Sequence, residues 1–408
     1  MLVYIHVPFC RKRCAYCAFY SSALHNRPVP SGYLPGLHRE LAWWSTHVAD
    51  LVPEPSDQRV TSIFLGGGTP SLLEPADVGC LLDALARNFS LAENVEVTLE
   101  ANPDSLHTKE RALDFRRAGI NRLSLGVQSL EKEELRIMGR IHGPEEVRQA
   151  CEAIHAAGFC SFNMDLIWGL PEQSLNGWLS VLQRACRLGP DHISAYSLTL
   201  EEGTPLAEAV VRGRLELPSE EVTTAMFLEG HALLAAEGFS HYEISNYARQ
   251  GHVCRHNMGY WQQQDYLGLG PGAVSTLKDV RFAQPEDYSL WLEHMEQGAI
   301  LPETEVLPPS TKTEELVMLS LRTARGLSLS SYSQACGRDF LEENRSLVQA
   351  LLRDGLAVLV RQDTEGDGNT DKKSLRNSGS MHFTLTPEGM LVSNDIISRL
   401  FADMGAGK

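Results

Sequence analysis

Short apolar runs alternate with segments of helical periodicity from residue 1 to about residue 200. Six of these runs are predicted to be strands: Leu2–Val7, Ser62–Leu65, Val95–Glu100, Arg122–Gly126, Phe162–Ile167 and His192–Ser197. The segments between them repeat apolar residues at helical spacing, and glycines stand where helices would end before the next strand. Repeated strand–helix alternation implies a parallel sheet, open or curled into a barrel. Functional groups are then expected at the carboxyl ends of the strands.

Composition and charge exclude several classes of protein. The length of 408 residues suggests two or three domains, and a hydrophobic content of 43% is enough to form a full core. Its 36 basic and 52 acidic residues give a net charge of −16, which argues against a nucleic-acid-binding protein. No apolar run approaches the roughly 18 residues of a transmembrane helix, and His6 and Pro8 interrupt the N-terminal apolar stretch, unlike a signal peptide. Nine cysteines, an odd number, predict a cytoplasmic, reducing location.

The remainder of the chain changes in character after about residue 238. The expected domains are, in order, a barrel at 1–238, an irregular extension rich in Gly, Tyr and His at 239–300, a proline-containing linker at 301–310 and a winged-helix-like module at 311–408. The polar segment Asp363–Ser380 is expected to be a mobile hairpin tip. From residue 310 onward there are 12 basic and 13 acidic residues, so a docking surface or a lid over the barrel is favoured over a DNA reader.

Three cysteines follow the first predicted strand with the spacing Cys-x3-Cys-x2-Cys: Cys10, Cys14 and Cys17. Thiolates this close in sequence can converge on one centre only from a loop. Structural zinc normally takes four ligands, and the position two residues past the third cysteine holds Phe19. A [4Fe–4S] cluster held by three thiolates leaves one iron open to a further ligand. The alternatives are a zinc or redox site, or three unrelated thiols.

The spacing, preceded by Tyr4-Ile5-His6-Val7-Pro8-Phe9-Cys10, resembles that of the radical S-adenosylmethionine (SAM) superfamily. Within it, the sequence is similar to the branch that contains the oxygen-independent coproporphyrinogen III oxidases and the HemW haem chaperones. The resemblance covers roughly residues 1–400. It implies an α/β fold, a partial (β/α)6 radical SAM barrel with a C-terminal helical, winged-helix-like module. It also implies that the three cysteines hold a [4Fe–4S] cluster with SAM on its open iron.

The same resemblance implies a SAM pocket. Glycines in Gly66-Gly67-Gly68-Thr69 allow backbone groups to approach a ligand closely, and in the superfamily this loop receives the amino group of the SAM methionine. The residues that resemble SAM-contacting positions are Tyr4, Tyr16, Gly67, Gly68, Thr69, Glu100, Gln128, Arg140 and Asp165. Carboxylates and an amide can hold ribose hydroxyls, Arg140 can pair with the methionine carboxylate, and Tyr16 resembles the aromatic residue that packs against adenine. Taken singly, each is more often a solvated loop or capping residue.

Two positions distinguish the members of this branch. Phe19 stands where the oxidases carry a further cysteine and the haem chaperones an aromatic residue. His256-Asn257-Met258-Gly259-Tyr260-Trp261 resembles a His-Asn-x-x-Tyr-Trp motif of HemW that the oxidases lack. Imidazole is a common axial ligand of haem iron, so the resemblance implies haem at His256, packed against Tyr260 and Trp261. The alternatives are a structural His256, or contacts made by Cys254, His241, His252 or Tyr242.

The resemblance therefore implies a haem chaperone that binds haem and transfers it to an acceptor haemoprotein. The alternative function is an oxygen-independent coproporphyrinogen III oxidase of porphyrin biosynthesis, which uses a SAM-derived radical for oxidative decarboxylation; we expect no such activity. A third is a metal-stabilised protein without turnover. An electron donor is required if SAM is cleaved. We expect a monomer or a cofactor-dependent dimer with no nucleic-acid partner and no transmembrane segment, and peripheral membrane contact is left open.

Overall fold

A computed structural model of the chain describes residues 1–25, 27–298, 300, 302–362 and 379–405. The strands are β1 (Leu2–Val7), β2 (Phe9–Cys10), β3 (Ser22–Ala23), β4 (Val60–Gly67), β5 (Leu91–Ala101), β6 (Arg122–Gln128), β7 (Ser161–Trp168), β8 (His192–Ser197), β9 (Ser240–Glu243), β10 (Asn246–Ala248), β11 (Tyr266–Leu269), β12 (Val274–Leu277), β13 (Val280–Ala283), β14 (Glu305–Val306), β15 (Leu327–Ser328), β16 (Ala357–Gln362) and β17 (Ser380–Leu385).

The helices are α1 (Tyr33–Leu51), α2 (Pro75–Asn88), α3 (Lys109–Arg117), α4 (Lys132–Ile137), α5 (Pro144–Ala157), α6 (Leu175–Arg187), α7 (Pro205–Val211), α8 (Glu220–Ala236), α9 (Arg255–Trp261), α10 (Tyr288–Gln297), α11 (Pro309–Ser320), α12 (Leu329–Cys336), α13 (Phe340–Glu343), α14 (Arg345–Arg353), α15 (Pro387–Leu391) and α16 (Ser393–Gly405). Short 3-10 turns lie at Pro70–Leu72 and Pro103–Ser105. Among the described residues, no helix combines the length and the apolar character needed to cross a membrane.

Six parallel strands form the centre of the first part of the chain, in the order β1-β4-β5-β6-β7-β8. They correspond to the six predicted strands, and at least one helix follows each of them before the next. β11 adds to β1 in parallel, and β10 adds to β8 in antiparallel orientation. The prediction of a partial (β/α)6 barrel is therefore confirmed.

The two faces of the barrel strands differ in chemistry because successive side chains of a strand point to opposite faces. In β6, Leu123 and Leu125 are fully buried, whereas Arg122 and Ser124 line a cavity on the opposite face. Closed eight-stranded barrels of this general kind usually fill the interior with branched apolar side chains. Here the interior is hollow, and polar side chains lie among apolar ones on its wall, which makes it a place to bind a ligand.

The first part of the expected extension, residues 239–277, differs from its expected irregular structure. It contains β9, β10, α9, β11 and β12. These elements are three to seven residues long, which is too short for a periodic pattern to be visible in the sequence, and β10 and β11 form by pairing with β8 and β1, which are distant in sequence. The long helix α1 was also absent from the predicted elements.

The chain divides into two compact units. The first comprises Met1–Ser240, Ser245–Tyr260 and Gln264–Val306, and the second His241–Ile244, Trp261–Gln263 and Leu307–Lys408. This division differs from the expected domains, because two short segments of the expected extension belong to the second unit.

The second unit contains a three-stranded antiparallel sheet in the order β15-β17-β16, together with α11 to α16. The expected C-terminal helical module is therefore confirmed, and the small antiparallel sheet is compatible with its expected winged-helix-like character. The expected linker at 301–310 includes β14 and the first residues of α11, and Leu301 lies outside the described residues. Residues 363–378 of the expected hairpin tip also lie outside them.

Candidate functional site

A cavity of about 560 Å³ occupies the interior of the barrel. Its lining reaches from Cys10, Cys14 and Cys17 at the carboxyl ends of the strands to His256 and Tyr260 of α9. Eleven of the twelve residues predicted to bind SAM or haem line this cavity, and the exception is Trp261. The structure therefore brings together side chains as far apart in the sequence as Tyr4 and Tyr260.

Cys10 ends β2, and Cys14 and Cys17 lie on the loop that follows, which backbone hydrogen bonds hold beside the cavity. The Ala15 N–H donates to the Met138 carbonyl at 2.9 Å, and the Leu206 N–H donates to the Ala15 carbonyl at 2.9 Å. Gly139 has a positive φ of 73°, and a Cβ there would lie 3.2 Å from the Ala15 nitrogen. A glycine at this position therefore allows the cysteine loop to approach the segment after α4.

Two cysteine sulfurs accept hydrogen bonds from neighbouring side chains. The Thr69 hydroxyl donates to Cys10 Sγ at 3.6 Å, and Arg140 Nη1 donates to Cys14 Sγ at 3.3 Å. Burial raises the pKa of the Cys10 thiol, and the Thr69 hydrogen bond partly opposes that rise. Burial also raises the pKa of Cys17. Thiols must lose their protons to bind iron, so cluster assembly at this loop releases protons.

The donor set fits an iron–sulfur cluster better than a single metal ion. Among the described residues, no group of three His, Cys, Asp or Glu side chains is arranged to enclose one ion. In a [4Fe–4S] cluster each thiolate binds a different iron, so the sulfurs need not converge on one point. The remaining cysteine of the cavity lining, Cys254, adjoins α9 and not the cysteine loop. Cys10, Cys14 and Cys17 lie at one edge of the cavity and would supply three of the four iron ligands of such a cluster.

The glycine loop at the end of β4 packs tightly against the cysteine segment. A Cβ at Gly68 would lie 2.6 Å from the Phe9 carbonyl oxygen, and one at Gly67, where φ is 107°, would lie 2.6 Å from the His6 ring. The Thr69 N–H donates to the Phe9 carbonyl at 2.8 Å. Glycines are therefore required here for the close approach of two backbones, and this packing places Thr69 beside Cys10.

Two carboxyl groups face the cavity below this loop. Burial, together with the negative charge of Asp165, raises the pKa of Glu100 to about 8. Burial also raises the pKa of Asp165, which accepts hydrogen bonds from Ser124 Oγ at 3.0 Å and Asn163 Nδ2 at 2.8 Å. Glu100 accepts from the Gly67 N–H at 3.1 Å. Such a pair suits a ligand that presents hydroxyl donors, because each new hydrogen bond stabilises the ionised carboxylate.

Arg140 is held by protein groups from three segments. In addition to Cys14, its guanidinium donates through Nη2 to Asn102 Oδ1 at 2.6 Å and to the Gly126 carbonyl at 2.5 Å. Gln128 lies close by, with a positive φ of 67°, at the position where the register of β6 against β7 shifts. The irregularity turns this side chain into the cavity, which a regular strand end would not ensure.

Two tyrosines complete the predicted SAM-contacting set. Tyr16 packs against an apolar cluster formed by Leu135, Met138, Ile167 and Leu170. The Tyr4 hydroxyl is hydrogen-bonded to His6 Nδ1 at 3.0 Å, and burial raises the Tyr4 pKa. Tyr16 therefore provides an aromatic surface beside the cysteines, whereas Tyr4 forms part of the interior wall.

The opposite end of the cavity is closed by α9, which Glu96 of β5 caps. The Glu96 carboxylate accepts hydrogen bonds from the backbone N–H groups of Arg255 and His256, both at 3.2 Å, and from the Cys254 thiol at 3.6 Å. A carboxylate at a helix N-terminus satisfies backbone donors that the helix itself leaves unpaired. The His-Asn-x-x-Tyr-Trp motif is thus on a capped helix and not in the loop-like segment that was expected.

His256 is only 1% exposed, and both of its ring nitrogens have partners. Nδ1 is hydrogen-bonded to Ser62 Oγ at 2.8 Å, and Nε2 to the Tyr260 hydroxyl at 3.0 Å. Burial lowers the His256 pKa to about 3, so the imidazole is neutral. In this conformation neither nitrogen has a lone pair available to an iron ion.

The sequence analysis did not identify three interior residues that connect the predicted ones. Asn163 and Ser124 hold Asp165, and Asn102 lies between Thr69 and Arg140. Asn102 had a detectable signal, because it is a polar residue directly after the carboxyl end of a predicted strand. Asn163 and Ser124 lie within strands. There, the alternation of apolar and polar residues shows which face is polar but does not show which polar residue contacts Asp165.

Family models match both parts of the chain. The model of the radical SAM superfamily matches residues 4–185, and the model of the HemN C-terminal domain matches residues 307–364. Among solved structures, the chain is similar to coproporphyrinogen III oxidase (HemN) from Escherichia coli, with a TM-score of 0.76 and 23% identity over 98% of this chain and 89% of that one. At this level of identity the likeness supports the fold alone.

Several curated relatives are more similar in sequence. The chain is 41% identical to the heme chaperone HemW of Escherichia coli over 66% of this chain and 68% of that protein. It is 35% identical to the heme chaperone HemW of Synechocystis over 98% of this chain and 96% of that protein. It is 37% identical to the heme chaperone HemW of Mycobacterium tuberculosis over 87% of each chain.

Proposed function

Because the chain belongs to the HemW family of the radical SAM superfamily, we propose that it binds haem and transfers it to an acceptor haemoprotein. The observation that carries this proposal is the match with a heme chaperone over almost the whole length of both chains. Phe19, which is 73% exposed at the cavity, supports the choice of chaperone over oxidase because the oxidases carry a cysteine at this position.

The same proposal assigns the carboxyl end of the barrel to a [4Fe–4S] cluster and SAM. Cys10, Cys14 and Cys17 would hold the cluster, and the cluster, when bound, supplies an electron to SAM on its open iron. The protein binds and orients the ligand. Glu100 and Asp165 accept hydrogen bonds from ribose hydroxyls. Further contacts to SAM come from the remaining predicted residues, Tyr4, Tyr16, Gly67, Gly68, Thr69, Gln128 and Arg140.

Haem is proposed to bind at α9, with His256 as the axial ligand and with Tyr260 and Trp261 as apolar contacts. The hydrogen bonds of His256 set a condition on this assignment. Nε2 must release the Tyr260 hydroxyl before it can bind iron, because the hydrogen bond between them uses either the proton or the lone pair of that nitrogen. Haem binding at this motif therefore requires that His256 and Tyr260 separate at the α9 end of the cavity.

The test is a haem titration that compares matched variants. His256→Ala should lose the wild-type Soret band, whereas Cys254→Ala should keep it. Tyr260→Phe removes the hydroxyl that occupies Nε2 while keeping the aromatic ring, so this variant should bind haem at least as tightly as the wild type. A His256→Ala spectrum identical to that of the wild type would show that haem is bound elsewhere. We expect no anaerobic decarboxylation of coproporphyrinogen III with SAM and a reductant; turnover would favour the oxidase.

The setting of this activity is also proposed. All nine cysteines are unpaired, which supports a reducing compartment such as the cytoplasm. The partners are haem, an acceptor haemoprotein and, where SAM is cleaved, an electron donor. The oligomeric state is proposed to be a monomer or a dimer that forms when the cofactors bind.

A further inference from the structure

A chain of four hydrogen bonds connects Cys10 with Cys14 through three side chains. Thr69 Oγ1 donates to Cys10 Sγ at 3.6 Å, and Asn102 Nδ2 donates to Thr69 Oγ1 at 3.0 Å. Arg140 donates to Asn102 Oδ1 through Nη2 at 2.6 Å and to Cys14 Sγ through Nη1 at 3.3 Å. Asn102 is the central residue of this chain, because both ends of its amide group are used in it.

The direction of these hydrogen bonds follows from Arg140. A guanidinium is only a donor, so the atom of Asn102 that faces it must be the carbonyl oxygen Oδ1. The amide nitrogen Nδ2 then faces Thr69, whose oxygen must accept. The hydroxyl proton of Thr69 is left to point at Cys10. The two outer hydrogen bonds therefore end on cysteine sulfurs, and the two inner ones join Asn102 to Thr69 and to Arg140. No alternative orientation of the amide satisfies all partners.

The backbone around Asn102 fixes this side chain. The Asn102 N–H donates to Ser105 Oγ at 3.2 Å, and the Ser105 N–H donates to the Asn102 carbonyl at 2.9 Å. Pro103, the next residue, restricts the Asn102 backbone to extended conformations, and its observed φ and ψ are −103° and 151°. The residue thus bridges Thr69 and Arg140 from a rigid turn.

We propose that Asn102 is a positioning residue that directs hydrogen bonds from Thr69 and Arg140 onto two sulfur ligands of the cluster and thereby raises its reduction potential. Reduction adds negative charge to the cluster, and donors on the ligand sulfurs stabilise that charge. The Arg140 bond carries a positive charge as well, which increases its effect. This inference rests on the proposed cluster at Cys10, Cys14 and Cys17.

The experiment measures the midpoint potential of the reconstituted cluster by an anaerobic titration followed by electron paramagnetic resonance, without SAM. Asn102→Leu removes both hydrogen bonds at similar side-chain size. It should lower the equilibrium constant for reduction of the cluster by at least about tenfold. For one electron, this is a shift of the midpoint potential by about 59 mV to more negative values. Thr69→Val should shift the potential in the same direction, whereas Thr69→Ser keeps the hydroxyl and should match the wild type. Asn257→Leu, which changes an asparagine of α9 that also lines the cavity, should leave the potential unchanged.

A double variant tests whether Asn102 acts through Thr69. In the Thr69→Val background, Asn102→Leu should cause a smaller shift than in the wild type, because only the contact with Arg140 remains to be lost. An equal shift in both backgrounds would overturn the relay through Thr69. If Asn102→Leu holds no iron, the pair Thr69→Val and Thr69→Ser decides, and equal potentials in that pair overturn the proposal.

Iron and sulfide analysis separates this inference from the proposed function. A wild-type protein that takes up no cluster contradicts the cluster assignment, and with it the role of Asn102. A wild-type protein with a full cluster and a potential that Asn102→Leu does not change contradicts the role of Asn102 alone.

Discussion

The two ends of the barrel cavity both carry residues of specific motifs, but they differ in how those residues are bonded. At the carboxyl end, Cys10 and Cys14 accept hydrogen bonds from Thr69 and Arg140. At the α9 end, the ring nitrogens of His256 are hydrogen-bonded to Ser62 and Tyr260. A thiolate sulfur has several lone pairs and can accept a hydrogen bond while it binds iron. The two ring nitrogens of a neutral imidazole have one such lone pair between them, so at His256 a hydrogen bond and iron binding exclude each other at the same nitrogen.

The ends also differ in solvent access. The three cysteines are partly exposed, and Phe19 beside them is largely exposed, whereas His256 is almost fully buried. The carboxyl end is therefore accessible to a ligand from solvent. The α9 end is sealed by its own hydrogen bonds and must open to bind a ligand through His256. A motif residue thus indicates which ligand it could bind, and its hydrogen bonds indicate which contacts must break before it binds.

The largest expected effect lies at the carboxyl end. Replacement of Cys10, Cys14 and Cys17 together by Ala should abolish cluster binding, because no other cysteine lies at that edge of the cavity. Iron and sulfide analysis after anaerobic reconstitution should give about four irons per wild-type chain and almost none in the variant. Cys254→Ala is the matched control from the other end and should keep the full cluster. Retention of iron by the triple variant would show that the cluster does not bind at the three cysteines.

A smaller effect is expected for the SAM pocket. Asp165→Ala should weaken SAM binding about ten- to a hundredfold, because hydrogen bonds to a charged group typically contribute about 1.5–3 kcal/mol. Anaerobic calorimetry measures the affinity, and the iron content should not change. Asp165 is held by Ser124 and Asn163, so Asp165→Asn is a milder variant of the same shape. Equal SAM affinity in wild type and Asp165→Ala would place the ribose elsewhere.

The third prediction concerns the seal at α9. His256→Ala leaves the Ser62 and Tyr260 hydroxyls without their partner in a buried place, which should lower the free energy of unfolding by about 1–3 kcal/mol. Chemical denaturation of the cofactor-free protein measures this loss. Tyr260→Phe breaks only one of the two hydrogen bonds and should therefore lower the free energy of unfolding by less. Equal stability of wild type and His256→Ala would show that α9 is not sealed in solution.

The arrangement of the barrel could be predicted from the sequence because its signals are local. The bounds of β1 and β8 match the predicted strands residue for residue, and those of β4 to β7 differ mainly in length. Burial on the outer face gives these strands their apolar residues, and strand–helix alternation determines that they run parallel. Topology then explains why polar residues after several strands meet at one cavity, whereas their prediction as SAM contacts depended on the family resemblance.

The environment of His256 could not be predicted in the same way. Its partner Ser62 is 194 residues away in the sequence, and the Glu96 carboxylate that caps α9 is 160 residues from His256. No local pattern encodes such contacts. Asn102 illustrates the same limit at the other end, since its position after a strand was visible but its two partners, Thr69 and Arg140, were not.

The smallest expected effect distinguishes the two ends by pH. The ordinary pKa of Glu100 is 4.5 and its folded value is about 8, so between these values the folded protein holds a proton that the unfolded chain releases. The free energy of unfolding should therefore fall as the pH rises from about 5 to 8, by at most about 1.4 kcal/mol per pH unit from this group. His256 has the opposite sign: its pKa falls from 6.5 to about 3, so its contribution is lost only as the pH drops below 6.5. Between pH 7 and 8, Glu100→Gln should flatten the decline, whereas His256→Asn should leave it unchanged. Denaturation curves at both pH values measure the slope, and an unaltered slope in Glu100→Gln would mean that Glu100 is ionised in the folded protein near neutral pH.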